Sequence, residues 1–135
     1  MFRTVVLVIA VMLAAAATAF AGNNKNPSSS WIGLSATGAA PAAAPVAGSY
    51  VTIYEGTAAT AQPFVHLRCY QNGTAVSESW NAVFTPSTGS ATFMLASSAW
   101  QGGAASCTAT LENWDSYSSH GKVSTLASMS FNVGA

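Results

Sequence analysis

The sequence predicts an all-β protein, an antiparallel sandwich of about six to seven strands, and three observations predict it. From Ser49 onward, apolar and polar residues alternate in short runs, the period expected of half-buried strands. Turn-forming clusters separate those runs: Asn72-Gly73, the stretch "TPSTGS" from Thr85 to Ser90, and Gly102-Gly103. After residue 21, no stretch sustains a helical period.

The first 21 residues are expected to lie outside that fold. Arg3 precedes an apolar run from Val5 to Ala17, and Ala19-Phe20-Ala21 forms a small-residue cleavage site, the layout of a secretory signal peptide cut before Gly22. The rival is an uncleaved anchor, since the apolar stretch from Thr4 to Ala21 sits near the lower length limit for a membrane span. Residues 22–48 are rich in Ala, Pro, Gly and Ser, and Pro41 and Pro45 oppose a helix, so this segment reads as a flexible linker. Within it only Trp31, Ile32 and Leu34 could pack on anything. The domain then occupies 49–135.

Its strands follow in order. Residues 49–56 set Val51 and Ile53 against Tyr50, Thr52 and Tyr54. Residues 63–71 set Val65, Leu67 and Cys69 inward and His66, Arg68 and Tyr70 outward. Asn72-Gly73 tolerates positive φ at both positions and makes a tight hairpin turn, which also reads as an Asn-Gly-Thr sequon. Residues 75–85 place Val76, Trp80, Ala82 and Phe84 on one parity, with Glu78 as the exception. Residues 90–98 alternate through Ala91, Phe93 and Leu95. The stretches 104–112 and 124–133 are clearer, each with one wet face.

Charge excludes some functions. Between Gly22 and Ala135, Lys25, Arg68 and Lys122 face Glu55, Glu78, Glu112 and Asp115, a net charge near −1. Nothing there would hold a nucleic-acid backbone, which needs clustered basic side chains. No membrane insertion is expected after signal cleavage. Cys69 and Cys107, an even pair in an exported chain, read as a disulfide, with two free thiols as the alternative. Closing that loop is worth about 3–4 kcal/mol in the chain-entropy view.

The two inward cysteines, with Trp80 eleven residues after the first, give an arrangement that resembles a compact immunoglobulin-like domain of secreted bacterial proteins. The resemblance covers 49–135. It implies an inter-sheet disulfide joining strands B and F and packing on a strand C tryptophan, with B–C and F–G loops at one end. The tyrosine corner is missing, since Ala105 stands two before the second cysteine; Trp100 could plug that corner instead. A strand between B and F is also missing.

In this scheme the F–G loop carries Asn113, Trp114, Asp115, Tyr117 and His120, residues that could stack on a sugar or grip a protein. The competing reading is a plain connection. Tyr50, Tyr54 and Tyr70 fall on outward parity and could form an aromatic face. No catalytic residue, metal ligand set or cofactor is expected. Glu112, Asp115 and His120 match no ligand spacing, and no nucleophile elbow is present. The expected function is that of an exported, non-enzymatic binding or adhesion module. It would be secreted or held at the cell surface and recognise an extracellular protein or polysaccharide. The alternative is a structural subunit of a cell-surface assembly.

Overall fold

A computed structural model describes residues 30–37, 41, 43–84, 88–115 and 121–135. The expected signal peptide lies outside the described residues, as do Tyr117 and His120. Seven strands form: β1 (Trp31–Gly33), β2 (Tyr50–Gly56), β3 (Phe64–Gln71), β4 (Thr74–Ala82), β5 (Thr88–Met94), β6 (Ala105–Asp115) and β7 (Lys122–Val133). They make two antiparallel sheets, ordered β1-β2-β5 and β4-β3-β6-β7. No helix is present among the described residues.

The period-2 pattern explains the packing. Val51, Ile53, Ala91 and Phe93 face Val65, Leu67, Ala109, Leu111, Phe131 and Val133 in one core. Each fully buried Val, Leu or Phe there contributes roughly 1.5–3 kcal/mol. Trp100 is buried, and its indole N–H donates to the Gly103 carbonyl at 3.2 Å, so it fills the β5–β6 corner as anticipated. Asn72 and Gly73 take φ of 50° and 79°, the left-handed pair a two-residue hairpin requires.

The expected linker is partly built into the sandwich. Ile32 is buried, Leu34 packs on the core, and Trp31–Gly33 pairs with Gly56–Tyr54 as an edge strand. Residues 45–49 stitch the sheets together: Gly134 N–H bonds the Pro45 carbonyl at 2.8 Å, and Gly48 N–H bonds the Leu95 carbonyl at 2.9 Å. Three residues are too few to show a period, which is why composition concealed β1.

The expected strand assignment, with 63–71 as strand B, does not survive the pairing. Strand β3 lies between β4 and β6, so Cys69 and Cys107 are direct cross-strand partners within one sheet, with Cα atoms 4.0 Å apart. The disulfide is therefore intra-sheet, not inter-sheet. Because β3 and β6 run antiparallel, the Asn72-Gly73 turn and the β6–β7 connection sit at opposite ends, not at one.

Trp80 is not on the disulfide either. Tyr70 pairs with Ala75 and Cys69 with Ser77, leaving Val76 as an extra bulged residue in β4. Were Val76 paired opposite Cys69 instead, hairpin register would place Trp80 opposite Val65 and Glu78 opposite Leu67, both inward. The bulge shifts β4 by one residue and turns both to the outer face. Glu78 is thus no exception; it shares a side with Trp80.

Candidate functional site

The bulge builds the site. On the outer face of the four-stranded sheet, β4 brings Glu78 beside Arg68 and Trp80 beside His66, while β6 brings Thr110 beside His66 and Glu112 beside Phe64. Those residues form one continuous network. His66 Nδ1 lies 2.9 Å from Glu112 Oε1, and its Nε2 lies 2.9 Å from Glu78 Oε1. Arg68 donates from Nε to Glu78 Oε1 at 2.9 Å, from Nη2 to the same oxygen, and from Nη1 to the Tyr70 hydroxyl at 3.3 Å. Glu112 also accepts from Thr110 Oγ1 and from the Trp114 indole N–H, each at 3.1 Å.

Two ring contacts complete the surface. The His66 imidazole stacks on Trp80, centroids 4.3 Å apart and planes 17° from parallel. Phe64 lies against Trp114 with centroids 5.1 Å apart. Trp80 and Trp114 nonetheless remain 45% and 47% exposed, large apolar areas left open on a rigid sheet.

The electrostatics follow from the hydrogen bonds. The Arg68 guanidinium, and then His66, hold the Glu78 carboxyl below its usual range. For Glu112, burial pushes upward, but hydrogen bonds from His66, Trp114 and Thr110 together outweigh it and hold the group low. Each ring nitrogen of His66 faces a carboxylate oxygen at 2.9 Å, so the imidazole is anchored on both sides. One imidazole thus links two carboxylates across three strands.

Of the five loop residues anticipated as a site, the structure joins Trp114 to this network. Strand β6 runs on through Asp115 and β7 begins at Lys122, so Asn113, Trp114 and Asp115 are paired with Ser124, Val123 and Lys122, not looped. Asn113 falls on the strand face opposite Trp114. Tyr117 and His120 lie outside the described residues. Sequence reasoning placed His66 and Arg68 outward but missed their partnership with Glu78 and Glu112, which depends on strand order. The tyrosines do not share a face: Tyr50 and Tyr54 lie on the three-stranded sheet, Tyr70 on the other.

The described residues hold no group of three or more metal-ligating side chains, and no helix among them is long and apolar enough to cross a membrane. The fold and face define an all-β sandwich bearing an aromatic and charged sheet surface. No protein-family model, curated protein or solved structure matches the chain.

Proposed function

We propose that this protein is an exported, non-enzymatic binding module, secreted or held at the cell surface, whose outer four-stranded face recognises an extracellular polysaccharide. One observation carries the reading: two half-exposed indoles, Trp80 and Trp114, each held in place by a polar neighbour on a rigid sheet. Rings fixed before binding lose little freedom on contact, so more of the stacking energy is retained as affinity. The two tryptophans stand two strands and about four residues apart, roughly 15 Å by strand geometry, which suits an extended chain more than a single sugar. Glu78, His66 and Arg68 between them offer fixed acceptors and donors for hydroxyl groups. The disulfide is consistent with an oxidising compartment.

The test is retention of the purified chain on insoluble polysaccharides and on whole cells. Trp80→Ala and Trp114→Ala are each expected to weaken retention about tenfold, one ring stack's worth, while circular dichroism stays unchanged. Equal retention of wild type and both variants, or no retention of wild type, would remove the reading.

A further inference from the structure

A groove of about 540 Å³ lies where the outer side of the three-stranded sheet meets the end of β4, with Trp80, Trp114 and His66 outside its lining. Three aromatic residues line it: Trp31 from β1, Tyr54 from β2, and Phe84 just beyond β4. Thr88 and Ser90 of β5 add hydroxyls, and no lining residue is charged. The volume is within the range of small-ligand sites, roughly 300–1,000 Å³.

Two features distinguish this groove from ordinary sheet surface. Trp31 is seated by the sequence: a Cβ on Gly56 would fall 2.1 Å from its indole nitrogen, so the glycine is what lets the ring lie against the strand. The polar groups are also uncommitted. Elsewhere on this face Thr52 and Thr92 bond each other at 3.1 Å, whereas the hydroxyls of Tyr54, Thr88 and Ser90 bond no described residue. Aromatic walls with spare hydroxyls and no charge match a ligand that is apolar on its ring faces, rich in hydroxyls at its edges, and neutral. A charged ligand would enter without a counter-charge, and an acyl chain would cover those hydroxyls without bonding them.

We propose that this groove is a second binding site, for a neutral saccharide, independent of the four-stranded face. Trp31 is one of four tryptophans, so its indole N–H gives a distinct signal in a ¹⁵N-correlated NMR spectrum. The full chain is titrated with neutral glucose hexasaccharides, β-1,4- and α-1,4-linked, and with decanoate as the acyl control. The expected result is a saturable Trp31 shift with at least one hexasaccharide and none with decanoate. Phe84→Ala, a change at a highly exposed residue that leaves the core intact, should weaken it about tenfold. Tyr54→Phe should weaken it severalfold, while the Trp80→Ala, Trp114→Ala double variant should leave it unchanged. No Trp31 shift at millimolar saccharide, a shift that persists in Phe84→Ala, a shift lost in the double variant, or a response to decanoate alone would each overturn the proposal.

Discussion

His66 and Glu55 show two opposite ways of burying charge. His66 is surrounded by what it needs: Glu78 from β4, Glu112 from β6, Arg68 on its own strand, and the Trp80 ring above. His66→Ala is expected to lower stability by about 1–3 kcal/mol in urea unfolding, because the nearly buried Glu112 loses a hydrogen-bond partner. Glu78 and Glu112 are held below the usual 4.5, so their contribution is present above that pH and is lost as pH falls through the folded-state values. Glu55 is 1% exposed with both carboxylate oxygens unpartnered, and burial raises its pKa above 4.5. The folded state therefore keeps that proton longer than the unfolded chain, and stability drains away as pH rises above 4.5. Glu55→Leu should gain about 1–3 kcal/mol at neutral pH, an advantage that shrinks on acidification towards pH 4.5. An advantage independent of pH would contradict this account.

At the scale of the element, one inserted residue decides what the sheet displays. Deleting Val76 would remove the bulge while leaving Ser77 opposite Cys69 and Glu78 opposite Arg68, at the cost of one buried valine. The expected outcome is cooperative unfolding with stability lower by about 1.5–3 kcal/mol, read by circular dichroism and by tryptophan fluorescence in urea. Gly56→Ala should act more locally: with Trp31 displaced, β1 would detach, and hydrogen exchange at Trp31–Gly33 should rise while β3 and β6 stay protected. The strands themselves were legible, because Val65-Leu67-Cys69 and Ala105-Cys107-Ala109-Leu111 alternate without interruption. The bulge was not, since a single extra residue between Ala75 and Ser77 leaves no mark in composition. Glu78 was the one hint: a charge on an otherwise apolar parity signals a shifted register.

For the whole molecule, the sequence told the class but not the neighbours. Two sheets, one core and a disulfide were readable from period and cysteine count, while strand order was not, because both β-sandwich wirings use the same alternation. The immunoglobulin-like analogy was one strand out: β1-β2-β5 and β4-β3-β6-β7 keep its A-B-E and C′-C-F-G order, with β3 in the place of strand C, not B, and β3 beside β6 is a long-range choice that local patterns do not encode. The candidate site fared accordingly. Trp114 was singled out for its loop-like context and lies beside Glu112, but Trp80, His66, Glu78 and Glu112 meet only through that order. Reducing the disulfide should cost about 3–4 kcal/mol of stability, measured as the difference in urea unfolding with and without reductant.

The same bond has a mechanical meaning. Cys69 and Cys107 close a covalent ring of sequence separation 38 that contains β4, β5 and only the adjoining ends of β3 and β6. A load passing along the chain from the N-terminal segment to Ala135 crosses that bridge and leaves the ring slack. On forced extension the oxidised chain should yield a contour about 13 nm shorter than the reduced one, at ~3.5 Å per sequestered residue. Under such a load β1, β2, β7 and the parts of β3 and β6 that carry His66 and Trp114 would extend, while Trp80 on β4 stayed inside the unloaded ring.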